Sequence, residues 1–155
     1  MKLNLAAGNR IMVGSEWVNH DRWIHRPEIT VAHDLRIAPW PWDDGQFDEI
    51  QAHDVLEHVH DLVAFIEEMW RVSADGAKVY VHTAWAGPSI NSRHVWRDPQ
   101  HTRPVTEETF AYFDPVGGGY WFENYGKFYS PARFKVEQVY LEPPDCIGFR
   151  LTAMK

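Results

Sequence analysis

Three aspartates, Asp21, Asp34 and Asp54, each fall at or just past the end of a short strand-like stretch: EWVNHD, EITVAHD and FDEIQAHD. If those strands run parallel, their carboxyl ends line one sheet edge, where α/β proteins bind ligands beside a switch in strand order. A carboxylate after the second strand is placed to accept both hydroxyls of a ribose. One after the third can accept from an adenine amino group. Aspartate is also common at strand ends as a turn former or helix cap, so any one of them carries little weight; three in register carry more. Ahead of them, LNLAAGNR (Leu3 to Arg10) reads as a buried strand entering a tight turn with a single glycine, Gly8. Alanine at position 6 matters there only if the backbone needs positive φ or a ligand touches Cα.

The elements that must position these groups follow from periodicity. KLNLAA is the first strand, Glu16 to Asp21 the second, Glu28 to Asp34 the third and Phe47 to Asp54 the fourth. The last is reached through the loop PWPWDDGQ. From Asp61 the period lengthens: Leu62, Phe65, Ile66 and Met69 share one helical face, with Asp61 as N-cap and Gly76 as the expected stop. AKVYVHTA, FKVEQVYLE and CIGFRLTAM return to strand patterns, and the PPD loop between the last two permits only an antiparallel pair. A helix between strands four and five marks a parallel βαβ unit. Residues 9 to 15 and 22 to 27 are too few for ordinary crossover helices, so one sheet face should be poorly covered. Either Trp17, Trp23, Trp40 and Trp42 pack over it or a second subunit does, and a homodimer is expected on that ground.

A chain of 155 residues, 45% hydrophobic and 24% charged, fits one soluble domain spanning residues 1–155. A net charge of -7 without any lysine or arginine block argues against nucleic acid. The absence of an apolar run of about 20 residues argues against a membrane span. Cys146, the single cysteine, excludes an internal disulfide and a cysteine-based zinc site. The polar residues that follow MKLNLAAG argue against a signal peptide, which makes a cytoplasmic location the expectation. Residues 85 to 133, crowded with aromatic, histidine and arginine side chains, are too long for an idle connection. They are expected to form a lid or substrate insertion, to complete the core, or both.

Taken in order, Ala6-Ala7-Gly8, Asp21, Asp34-Leu35, Pro39 to Trp42, Phe47-Asp48 and Val55-Leu56-Glu57-His58 resemble the class I S-adenosylmethionine-dependent methyltransferases. The likeness is nearest to the small type 11-like group and continues into WRDPQHTRPVT. It implies a Rossmann-like α/β sheet, mostly parallel with an antiparallel C-terminal strand, here with its early crossover helices trimmed. It implies S-adenosylmethionine running from Ala6 and Gly8 (methionine moiety) to Asp21 (ribose) and Asp34 with Leu35 (adenine). The backbone of Ala52 and His53 would lie beside the sulfonium, and Arg10 would either pair with the methionine carboxylate or be a plain surface arginine. The family's first glycine is alanine here, as is its middle cysteine. A nicotinamide dinucleotide is disfavoured because G-x-G-x-x-G is absent.

Methyl transfer from a sulfonium is an in-line displacement in which alignment does much of the work; a base is needed only when the acceptor must lose a proton. Glu57, His58 and His101 are the candidate catalytic groups, with His53 and His60 as further histidines. Asp54, Glu57, His58 and His101 also resemble the E-x-x-E-H pattern of metal-dependent O-methyltransferases, although the Glu-His pair occurs in members without metal. No N-P-P-Y, D-P-P-Y or Pro-Cys run names a nucleobase acceptor; a small-molecule or sugar-like acceptor is the expectation. The rival readings are a non-catalytic nucleoside- or partner-binding module of the same fold, and a metal-dependent hydrolase. The second is disfavoured because the early histidines make no i, i+4 pair.

Overall fold

The computed structural model describes residues 1–87 and 93–155, without the side chains of residues 93 and 94. Seven strands form one sheet: β1 (Lys2–Leu5), β2 (Trp17–Asp21), β3 (Val31–Ala32), β4 (Phe47–His53), β5 (Ser73–Ala84), β6 (Phe134–Glu142) and β7 (Cys146–Ala153). Their spatial order is β3-β2-β1-β4-β5-β7-β6. The first five are parallel, while β7 runs antiparallel to both β5 and β6. This is the Rossmann-like methyltransferase sheet expected from the sequence. The third strand shrinks to two residues at the sheet edge.

Helix α1 (Leu62–Val72) crosses between β4 and β5. The Asp61 carboxylate caps it by accepting from the Ala64 N–H at 3.0 Å. Phe65, Ile66, Met69 and Val72 form its buried stripe. The helix ends at Val72 rather than at Gly76, because Ser73 already has extended backbone and pairs with Phe47 of β4. Further on come α2 (Arg93–Arg97), a 3₁₀ turn at Ala111–Phe113, and a run of α3 (Gly119–Trp121), a π turn (Phe122–Gly126) and α4 (Lys127–Tyr129).

Register separates the sheet into two chemically different faces, since side chains alternate along each strand. Leu3, Leu5, Ile50, Val79, Val81, Phe149 and Leu151 point to the core shared with α1. The other face carries Lys2, Glu49, Lys78 and Thr152 in one row and Asn4, Asn19, Gln51, Tyr80 and Arg150 in the next. Asn4 and Asn19 are buried under the loop after β1, bonding Arg10 O and both backbone groups of Met12. The rest of that face meets solvent and is satisfied by its own contacts, including Lys2–Glu49 at 3.0 Å and Lys78 to Thr152 at 2.8 Å.

Of the four tryptophans expected to cover this face, Trp17 lies on it, in register with Lys2, whose ammonium is 5.3 Å from the ring centroid. Trp40 and Trp42 pack on the apolar side, where Trp40 meets Phe65 at 5.1 Å and Trp42 meets His20 and Phe47. Arg71 holds their loop on α1 by donating to the Trp40 and Trp42 carbonyls, and Glu68 accepts from the Trp40 N–H at 2.6 Å. Trp23 is 64% exposed. The sheet face that lacks a helical layer carries mostly polar side chains together with the Trp17 and Tyr80 rings. Within residues 85–133, Phe110, Phe113 and Phe122 are buried, with Phe110 4.8 Å from Phe149, so part of the segment completes the core. Residues 88–92 of the expected lid lie outside the described residues. No described helix is long and apolar enough to cross a membrane.

Candidate functional site

A cavity of about 600 Å³ opens at the carboxyl edge of the sheet, on the side of α1. Ala6, Asp21, Asp34 and Leu35 line one wall, and Val55, His58 and Gln100 another. It sits where β1 lies between β2 and β4, the point at which strand order reverses.

The turn after β1 is built for close approach. Ala6 has φ +50° and Gly8 φ +52°, both left-handed. Positive φ is what makes an alanine at position 6 costly. β2 pins this backbone: the Gly8 N–H donates to Asp21 Oδ2 at 2.8 Å, the Ala7 N–H to His20 O at 2.8 Å, and the Ala6 N–H to His20 Nδ1 at 3.3 Å. Since Nδ1 accepts, Nε2 carries the proton and donates to His33 O at 3.0 Å, tying β1, β2 and the end of β3 together. Burial lowers the pKa of His20 and favours this neutral form. Sequence reading passed over His20; its signal was the inward position in WVNHD, where an apolar residue would be ordinary.

Asp21 keeps acceptor capacity after its bonds to the Gly8 and Arg22 N–H groups, because an ionised carboxylate offers about four lone-pair sites. Asp34 is held differently. Arg36 grips it through Nε and Nη2, at 2.9 and 2.6 Å, and Arg22 adds an ion pair at 3.2 Å. Arg36 keeps its carboxyl well below the usual carboxylate range. A ligand amine at Asp34 therefore shares the carboxylate with two guanidiniums.

Gly8, Arg10, Ala52 and His53, at or just past the ends of β1 and β4, do not line the cavity, and the His53 ring lies on the polar sheet face with Gln51. Arg10 Nη1 lies 3.1 Å from His53 Nδ1, and His53 Nε2 lies 3.0 Å from Gln51 Oε1. Burial, with Arg10 and His82 alongside, pushes the His53 imidazolium down to about 4. The next residue, Asp54, is again left-handed at φ +51°. Its carboxylate meets His82 Nδ1 at 3.1 Å, and Glu142 meets His82 Nε2 at 3.3 Å. Asp54 raises the His82 pKa. His82 and Glu142 also escaped the sequence reading, because nothing local links the ends of β5 and β6.

Glu57, His58 and His101 do converge, and Asp54 does not join them: their ligand atoms lie within 4.8 Å of one another. Glu57 is only 3% exposed, accepting from Thr83 Oγ1 at 2.6 Å and the Ala84 N–H at 3.2 Å. His58 Nδ1 donates to Gln100 O at 3.3 Å and His101 Nδ1 to Val95 O at 2.6 Å, and neither Nε2 has a hydrogen-bond partner among the described residues. The strap that brings His101 here is fixed by the Thr102 N–H to Glu57 O at 2.8 Å and Arg103 Nε to Val59 O at 2.8 Å. Arg103 also donates to His60 O.

Residues 19–81 match the model of a methyltransferase domain family. Among solved structures, the chain resembles an S-adenosylmethionine-dependent methyltransferase from Aquifex aeolicus at 16% identity and TM-score 0.56, covering 97% of this chain and 80% of that one. A second such methyltransferase, from Mesorhizobium loti, matches at 13% identity and TM-score 0.60, covering 97% and 89%. The [4+2]-cyclase SpnF shares the fold at 14% identity and TM-score 0.57, over 90% of this chain and 52% of its own. The fold therefore serves more than one chemistry.

Proposed function

We propose that this chain, which has the class I methyltransferase fold and carries the methyltransferase domain pattern over residues 19–81, binds S-adenosylmethionine and transfers its methyl group to a small-molecule or sugar-like acceptor. The observation that carries the reading is one cavity whose wall unites Ala6, Asp21 and Asp34 at the switch in strand order. The residues suit the nucleoside part of the cofactor: a free-sided carboxylate at Asp21 for the ribose, and Leu35 and Val55 as apolar neighbours for adenine; Arg10, the residue the resemblance assigns to the methionine carboxylate, stands outside the cavity wall against His53. When bound, the cofactor supplies an electrophilic methyl group on a sulfonium. The protein's part is to align it and to keep water away, and the segment 85–133 would serve as the lid over the acceptor. Calorimetric titration with S-adenosylmethionine and S-adenosylhomocysteine tests this. Both should bind, and Asp21→Ala should abolish binding while leaving the far-UV spectrum unchanged; unchanged affinity in that variant refutes the ribose assignment.

A second reading is favoured by the convergence of Glu57, His58 and His101. Both histidines donate Nδ1–H to backbone carbonyls, as ligating imidazoles commonly do. A divalent cation held there would acidify a hydroxyl acceptor. Without a cation, His58, in the cavity wall, and His101 next to it would be the imidazoles available to take a proton from the acceptor. Metal analysis of purified protein, with Glu57→Gln as control, separates the two.

A further inference from the structure

His20 is a buried titratable side chain on the apolar face of the sheet, only 1% exposed. It shares that face with Val18, two residues earlier on β2, and with Leu3 of β1, which pairs with Val18; the cavity opens on the same face. His20 and Ala6 both line the cavity, and Trp42 meets the His20 ring edge-on at 5.3 Å. The two ring nitrogens have separate partners. Nδ1 accepts from the Ala6 N–H at 3.3 Å, and Nε2 donates to His33 O at 3.0 Å. The first contact falls on the alanine that holds φ +50°, a conformation that costs alanine and not glycine. Ala7 and Gly8 are pinned independently of the ring, because their N–H groups bond the His20 carbonyl and the Asp21 carboxylate.

We infer that His20 is a positioning residue for the cofactor: as a neutral imidazole it holds Ala6 in the left-handed conformation of the cavity wall, and as an imidazolium it lets Ala6 go. This rests on the S-adenosylmethionine reading, which assigns the turn to the cofactor. Protonation puts an N–H where the Ala6 N–H needs an acceptor, so two donors face each other. Without the contact Ala6 relaxes toward negative φ, and the apparent affinity falls with the fraction of turns still competent to bind. The charged groups acting on His20 are Asp21 beside it, which favours the imidazolium, and His33 at the end of β3, which opposes it. Its contacts from β1 and the tryptophan loop, Ala6 and Trp42, are uncharged. Burial is the largest influence and lowers the pKa, so the ring is neutral at neutral pH. Binding is therefore full there and weakens as pH falls through a midpoint below the ordinary histidine value.

Two substitutions separate the functions of the ring. His20→Asn keeps an acceptor oxygen near the place of Nδ1, His20→Gln keeps a donor nitrogen near that of Nε2, and neither titrates. The affinity for S-adenosylhomocysteine is measured by calorimetry from neutral to acid pH. Wild type should lose about tenfold on acidification, the scale of one buried donor left without its acceptor. His20→Asn should lose much less. His20→Gln should show the loss already at neutral pH, and adding Ala6→Gly to it should recover most of the affinity, because glycine holds the turn without a pin. A purely structural role for His20 would leave a loss that Ala6→Gly does not repair. Equal pH dependence in wild type and His20→Asn, or no recovery in the double variant, overturns the inference. Should the variants fail to fold, NMR of the ligand-free wild type decides: the Ala6 amide and the His20 ring should titrate with one midpoint, and separate midpoints overturn the contact. Failure of wild type to bind S-adenosylhomocysteine at neutral pH overturns the cofactor reading and the role of His20 in it, whereas the amide titration reports on the His20–Ala6 contact alone.

Discussion

Ala6→Gly should make this protein more stable, which inverts the usual effect of adding glycine. Ala6 holds φ +50°, where a Cβ approaches the following carbonyl oxygen and costs roughly 1–2 kcal/mol. Glycine removes that cost but adds unfolded-chain freedom worth about 0.5–1 kcal/mol. The net gain is about 0.5–1 kcal/mol, since the Ala6 and Ala7 N–H bonds to His20 are backbone donors and survive the change. For a chain of this size that is a rise in Tm of about 1–4 °C, readable by calorimetry. Gly8 supplies the mirror experiment. It has φ +52°, and the nearest atom a Cβ there would meet is the Ala6 carbonyl oxygen at 4.0 Å, so Gly8→Ala costs the backbone term with no clash. Its Tm should fall by a similar amount. Because the Ala6 side chain also faces the cavity, Ala6→Gly should bind S-adenosylhomocysteine at least as well as the wild type. A melting point below wild type for Ala6→Gly, with Gly8→Ala unchanged, would refute the assignment of the turn.

The contact between Asp54 and His82 should leave a two-sided signature in stability against pH. His82 is raised, so its contribution is full below the ordinary histidine range and is lost as pH climbs through its folded midpoint. Asp54 is lowered by the same contact, so its contribution is present above the ordinary carboxylate range and is lost as pH falls through its folded value. Asp54→Asn, a residue that accepts left-handed backbone, should therefore differ most from wild type between those limits and converge on it at either end; chemical denaturation across pH reads this directly. Gly126→Ala should destabilise by about 1–3 kcal/mol, because its Cβ would run into the Tyr112 carbonyl and push the π turn off the 3₁₀ turn beneath it. Trp42→Ala should cost roughly 3–5 kcal/mol, seen as a lower urea midpoint, since its ring fills the space between His20 and Phe47.

Much of this architecture was legible because it is written in local periodicity. The apolar spacing from Leu62 to Met69 and the Asp61 cap predict α1 to within a residue of its start. The short links at 9–15 and 22–27 predict a sheet that lacks early helices. What escaped the sequence was set at a distance. The helix stop was misplaced because Ser73 is recruited by Phe47, a pairing 26 residues away in sequence. Glu57 and His101 meet because Thr102 and Arg103 bond the backbone of residues 57–60, and no spacing rule reports that strap. Asp54, three residues before Glu57, was grouped with it by motif, but left-handed backbone at Asp54 turns its carboxylate to His82 instead.

The bare sheet face and the cavity then become two consequences of one economy in the chain. Parallel sheets are ordinarily covered on both faces, which is why their strands read as continuous apolar runs. These strands alternate instead: Leu3 and Leu5 against Lys2 and Asn4, Ile50 and Ala52 against Glu49 and Gln51, Val79 and Val81 against Lys78 and Tyr80. Alternation of that kind lets one face stand in water without a helical layer. The candidate site loses nothing by it, because its walls come from the retained side: Ala64, Phe65 and Glu68 of α1, Trp40 of the loop that α1 anchors, and Gln100 and Thr102 of the strap. Glu68 belongs to the site and to the anchor at once, lining the cavity while accepting from the Trp40 N–H and pairing with Arg71. The one helical layer that this sheet carries is thus the layer that shapes the pocket.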